Sequence, residues 1–107
     1  VNVLNGVGVS PGHAAGPPLI IRDAGHDAVT PGAIIIARVV HPYLAPLFLT
    51  IGGVVAEDGG LLQHAAILAR EFGIPAVVGV QDAVQALTGA RLITVDGTTG
   101  DVVAEFQ

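Results

Sequence analysis

The stretch Gly59-Gly60-Leu61-Leu62-Gln63-His64-Ala65-Ala66-Ile67-Leu68-Ala69-Arg70-Glu71-Phe72-Gly73-Ile74-Pro75-Ala76-Val77-Val78-Gly79 organises the whole chain. Gly59 and Gly60 end the preceding apolar run Val54–Ala56 and permit a tight turn or a close backbone approach. His64 to Phe72 are good helix formers, with alanine at 65, 66 and 69. Gly73 is a natural stop, and Pro75 forbids continuation. The spacing predicts a helix roughly 14 Å long. Ile67, Leu68 and Phe72 are expected to form its apolar face, with Arg70 and Glu71 elsewhere on the surface.

His64 is the chemically telling residue. Neutral imidazole is a nucleophile near physiological pH, because its unperturbed pKa is about 6.5. A histidine nucleophile divides one difficult transfer into two easier ones. The first N–H groups of a helix lack intrahelical acceptors and carry partial positive charge, so an anion is welcome beside them. The small residues Ala65 and Ala66 leave room for a bulky partner. The plainer reading is a histidine that caps a helix or fills a niche, and it stays open on the residues alone.

Composition bounds the alternatives. The chain has 107 residues, 51% hydrophobic and only 12% charged, which suits one domain with a modest core. Lysine is absent, and the four basic residues are Arg22, Arg38, Arg70 and Arg91. Without a glycine-rich loop followed by lysine there is no P-loop, so an ATP site within this chain is not expected. A net charge of −5 argues against nucleic acid. Cysteine is absent, which removes disulfides and thiolate metal sites. No apolar run reaches the roughly 18 residues of a membrane span and no signal peptide is visible, so a cytoplasmic location is expected. Methionine is absent even at position 1, so the chain is expected to be a segment of a longer polypeptide.

The order of elements reads as one domain, 1–107. Val1–Leu4 and Val7–Val9 are short strands around Asn5-Gly6, and Ser10–Gly12 is a turn. Ala14–Ile21 is read as one strand, held to an edge or bulge by Pro17 and Pro18. Residues 24–30 are a loop. Ala33–Ala37, Gly53–Ala56 and Ala76–Val78 are buried strands, and Tyr43–Leu49 is a short helix near Pro46. Ala83–Leu87 makes a helical turn, and Arg91–Val95 with Val102–Phe106 forms a hairpin across Asp96–Gly100. Many short strands with two or three helices give an α/β class, arranged as a compact β/β/α sandwich.

Residues 59–79 resemble the phosphohistidine motif of the phosphoenolpyruvate-utilising enzymes, which include phosphoenolpyruvate synthase, pyruvate phosphate dikinase, enzyme I of the sugar phosphotransferase system and rifampin phosphotransferase. The family pattern is a diglycine, three residues, His and a small pair, then Ala-Arg-Glu and Gly-Ile-Pro-Ala-Val-Val-Gly. The resemblance covers nearly the whole chain. Val7-Gly8-Val9-Ser10-Pro11-Gly12 is similar to the family's opening strand and turn. Thr30-Pro31-Gly32-Ala33-Ile34-Ile35-Ile36-Ala37 resembles its next strand, Pro42 to Phe48 the short helix after it, and Val95-Asp96-Gly97-Thr98-Thr99-Gly100 its closing turn.

The resemblance implies a swivelling phosphohistidine domain, one part of a phosphotransferase. His64 is the residue it implies is transiently phosphorylated, through Nε2, with Gly59, Gly60, Gln63, Ala65 and Arg70 supporting the phosphate region. It implies partner domains of the same enzyme that bind nucleotide and phosphoenolpyruvate, pyruvate or another acceptor. Mg2+ and ATP or phosphoenolpyruvate are expected there, with no cofactor or metal bound by this domain. The sequence departs from the pattern at four positions. Leu62 and Gln63 stand where many members carry hydroxyl or thiol residues, so regulatory phosphorylation at 62 is not expected. Leu61 replaces an arginine found in enzyme I and many synthases. Val40 replaces a threonine ahead of the family's proline, here Pro42.

Two other functions fit the residues: a docking module without phosphorylation, and a metal- or anion-binding regulatory domain using His64 and Glu57. Glu57 and Asp58 are placed to orient His64 or to be plain loop charges. His13, His26 and His41 lack metal-ligand spacing and are expected at the surface. Tyr43 and Phe48 are expected in the core or a docking face.

Overall fold

The computed structural model describes residues 2–22, 25–26, 29–58 and 62–106. The order is β1 (Asn2–Asn5), β2 (Val7–Ser10), β3 (His13–Gly16), β4 (Pro18–Arg22), β5 (Gly25–His26), β6 (Ile34–Ala37) and a 3-10 helix (Pro42–Leu49). Then follow β7 (Gly53–Ala56), α1 (Leu62–Phe72), β8 (Ala76–Val78), α2 (Ala83–Leu87), β9 (Leu92–Asp96) and β10 (Asp101–Glu105). The strands make two sheets. One is four-stranded and antiparallel, in the order β1-β10-β9-β3; the other is six-stranded and mixed, β2-β8-β7-β6-β4-β5.

The central strands β6, β7 and β8 of the six-stranded sheet are buried on both sides, which explains their unbroken apolar runs. Ile34, Ile35, Ile36, Val54, Val55 and Val77 have no exposed surface. Alternation divides them between two cores. Leu19, Ile35, Val54, Ala76 and Val78 face α1 and the 3-10 helix, meeting Leu44, Phe48, Ala66 and Ala69. Ile20, Ile34, Ile36, Val55 and Val77 face the other sheet and α2, meeting Ile93, Val95, Val102, Leu87 and Ala83. The layers are therefore sheet, sheet and helix, the β/β/α sandwich expected from the sequence.

The segment read as one strand, 14–21, is two. β3 ends at Gly16 paired with Ile93 in the four-stranded sheet, and β4 begins at Pro18 paired with Ile34 in the six-stranded sheet. Pro17 lacks an N–H and fixes its own φ, which suits a corner between sheets; its carbonyl accepts the Ile34 N–H at 2.9 Å. β4 is not an edge strand, but among the described residues β5 pairs only with Ile21 and Arg22, leaving the outer side of Pro18 without a strand partner there. The short β5 itself falls in the segment expected to be loop.

Helix α1 starts two residues earlier than the sequence suggests, at Leu62. It stops as expected. Gly73 adopts φ +70°, and the N–H groups of Ile74 and Gly73 donate to the carbonyls of Ala69 and Arg70 at 2.9 and 3.3 Å, the paired bonds of a Schellman stop. Its buried stripe differs from the expected one. Ala66 and Ala69 are buried, Leu68 is half-buried, and Ile67 is 59% exposed. Two alanines three residues apart let the helix lie close against the sheet, which turns Ile67 outward. Phe72, 39% exposed, instead meets Phe48 at a ring separation of 6.1 Å. Enlarging Ala69 to leucine should push α1 off the sheet. A loss of about 1–3 kcal/mol is expected, read as a fall of roughly 4–8 °C in Tm per kcal/mol.

The β9–β10 turn closes the four-stranded sheet. The Asp96 carboxylate accepts the N–H groups of Thr98 and Thr99 at 2.8 and 3.1 Å, and its second oxygen lies 2.9 Å from His13 Nε2. The backbone N–H groups of Thr99 and Thr98, and then the His13 charge, hold the Asp96 carboxyl below its ordinary value. A depressed carboxyl stabilises the fold above its unfolded pKa, and that contribution is lost as pH falls through the folded value. Asp96→Asn should therefore lower Tm at neutral pH. The gap to wild type should narrow as pH drops below the ordinary carboxylate range, in a series of melts against pH.

Candidate phosphoryl-transfer site

β6, β7 and β8 run parallel, and β7 leads through residues 57–61 into α1, which returns the chain to β8. Such a strand-helix-strand unit puts the helix N-terminus at the carboxyl edge of the strands. That edge is where open α/β sheets receive ligands.

His64 is the third residue of α1, so its backbone lies in the first helical turn with those of Leu62, Gln63 and Ala65. The N–H groups of this turn have no acceptor four residues earlier in the helix. The turn contains no acidic residue to compete for an anion. Gly59 and Gly60, expected beside the phosphate, lie outside the described residues. Arg70 falls in the last turn, about 9 Å along the axis from His64. It is exposed and has no ion-pair partner among the described residues. A cation at that end complements the helix dipole.

Three hydrogen bonds hold residues 57 and 58, where the chain leaves β7. The Glu57 N–H donates to the Ala37 carbonyl at 3.0 Å, and the Asp58 N–H to the Arg38 carbonyl at 2.8 Å. The Glu57 carboxylate accepts the Val84 N–H at 2.8 Å. The side chain is thereby tied to the first turn of α2, a contact the sequence did not suggest. Sequence reasoning missed it because the partner lies 27 residues away.

The other histidines are dispersed. His13 is exposed on β3 beside Asp96, and His41 is exposed ahead of the 3-10 helix. His26 lies in β5. Among the described residues no group of three or more His, Cys, Asp or Glu side chains is arranged to hold a metal ion. Phe48 is in the core, as the sequence allowed. No helix among the described residues is long and apolar enough to cross a membrane.

Residues 29–100 match the family described as PEP-utilising enzyme, mobile domain, and the chain belongs to that family. It is 40% identical over 102 residues to the uncharacterized phosphotransferase YvkC of Bacillus subtilis, covering 94% of this chain and 12% of that protein. It is 40% identical over 99 residues to phosphoenolpyruvate synthase of Pyrococcus furiosus, covering 92% of this chain and 12% of that enzyme. With rifampicin phosphotransferase of Streptomyces sviceus it shares 39% identity over 97 residues, covering 91% of this chain and 11% of that protein. The chain thus spans about an eighth of the length of these curated relatives and corresponds to one domain of them.

The solution structure of an Enzyme I protein superimposes with a TM-score of 0.64 at 31% identity, covering 71% of this chain and 32% of that one. Aconitase X of Thermococcus kodakaraensis superimposes with a TM-score of 0.74 at 19% identity, covering 97% of this chain and 98% of that one. The second likeness is one of fold alone.

Proposed function

We propose that this chain is the phosphoryl carrier domain of a phosphotransferase, with His64 as the residue that is phosphorylated. The observation that carries the reading is a histidine in the first turn of α1, at the carboxyl edge of the parallel strands, in a chain of the mobile-domain family. The ring nitrogen lone pair forms the N–P bond while the P–O bond to the donor's leaving group breaks, and the leaving oxygen keeps that electron pair. Free backbone N–H groups of the turn, with those of Gly59 and Gly60, stabilise the phosphoryl charge. Gln63 offers an amide N–H where many relatives have a hydroxyl, Ala65 leaves space, and Arg70 steadies the far end of the helix.

The whole domain, residues 1–107, then moves between a nucleotide-binding domain and an acceptor domain of one cytoplasmic polypeptide. ATP or phosphoenolpyruvate, with Mg2+, binds in those partners. The docking-module reading is favoured by Leu62 and Gln63 in the motif and by exposed Leu49 and Ile67 beside it. Intact-mass analysis of the full-length protein with Mg2+ and either donor separates the two. A carrier gains one acid-labile phosphoryl group; a docking module gains none.

A further inference from the structure

We propose that Glu57 is a positioning residue for the phosphorylated histidine, an inference that rests on the carrier reading above. Glu57 is the first residue after β7 and stands seven residues ahead of His64. Glu57 and Asp58 are the last described residues before α1, and three bonds hold them where the chain leaves β7. The N–H groups of Glu57 and Asp58 donate to Ala37 and Arg38 on the β6 side. The Glu57 carboxylate accepts the Val84 N–H of α2 at 2.8 Å in a partly buried contact.

The third bond is specific to this side chain. The residue at the start of α2, Asp82, has φ +57° and makes no side-chain cap, so the orphan N–H of Val84 is satisfied by Glu57 instead. The contact has two consequences. It ties the segment leading to His64 to α2, which is itself anchored through buried Ala83 and Leu87. It also engages the Glu57 carboxylate with a backbone amide donor.

The test uses the full-length protein with Mg2+ and ATP, and with Mg2+ and phosphoenolpyruvate, reading the initial rate of His64 phosphorylation beside Tm. Amide hydrogen exchange is followed over residues 57–66 and 83–85. Glu57→Ala should slow phosphorylation about 10–100-fold, the range for outer partners of a reactive group. Exchange should rise in those two segments and not elsewhere. Glu57→Gln keeps an acceptor oxygen and should restore the rate to within a few-fold of wild type. Glu57→Asp keeps the charge but is one methylene short, and should be slow.

A wild-type rate in folded Glu57→Ala or in Glu57→Asp would overturn the proposal. So would a Glu57→Gln protein as slow as Glu57→Ala, which would make charge, not the Val84 bond, the operative property. If wild type takes up no phosphoryl group from either donor, the carrier reading falls on its own. The exchange data then judge the anchoring, and unchanged exchange in Glu57→Ala would overturn that as well.

Discussion

Replacing His64 with alanine is expected to abolish phosphoryl uptake entirely while leaving the fold in place. Uptake needs a lone pair on a ring nitrogen, and no neighbouring side chain in the first turn of α1 can supply one: Leu62, Gln63 and Ala65 are not nucleophiles. The stability of α1 rests on Ala66, Ala69 and the stop at Gly73, all downstream of His64. Alanine is also the better helix former. The expected change in unfolding free energy is within about 1 kcal/mol, measured by denaturant melts. Phosphorylation is read by intact mass under neutral or alkaline quench. Uptake that persists in the alanine variant would mean that another residue is the acceptor.

The second large effect concerns the fold. Gly97→Ala should cost about 4 kcal/mol or more, a large part of the roughly 5–15 kcal/mol available to a domain of this size. A β-carbon at Gly97 would stand 1.7 Å from the Ser10 carbonyl oxygen and 2.9 Å from the Ala76 nitrogen. Neither can yield easily. Ser10 is buried, its hydroxyl donates to the Ile74 carbonyl at 2.7 Å, and the Gly97 N–H is itself bonded to the Gly12 carbonyl at 2.9 Å. This is the point where the β9–β10 turn crosses the segment joining β2 to β3, so movement there separates the two sheets. Gly73→Ala gives the comparison. Its φ is +70°, but a β-carbon meets nothing within 4 Å; the cost is backbone strain alone, about 1–2 kcal/mol. Urea melts of the two variants should rank Gly97→Ala well below Gly73→Ala.

The parts of the architecture legible in the sequence were those set by local pattern. Ile34–Ala37 and Gly53–Ala56 are continuous apolar runs because both faces of their sheet are covered, and the β9–β10 hairpin follows from alternation around Asp96-Gly97. The helix stop at Gly73 follows from one residue's conformational freedom. Features set by distant contacts were hidden. The switch of sheets at Pro17 depends on the partners Ile93 and Ile34. The buried face of α1 was misread because hydrophobicity favours Ile67 over Ala66, whereas close packing against a sheet favours the alanines. At the site, His64 stood out through its diglycine and the helix after it. The bond from Val84 to Glu57 links two elements that no sequence spacing connects.

The most direct measurement is residue-resolved mapping of the phosphoryl group in wild-type full-length protein, quenched under alkaline conditions during turnover with Mg2+ and ATP or phosphoenolpyruvate. The account predicts one phosphoryl group, acid-labile and located on His64, that forms and disappears as fast as the overall reaction proceeds. A folded protein that turns over with His64 unmodified throughout would contradict it.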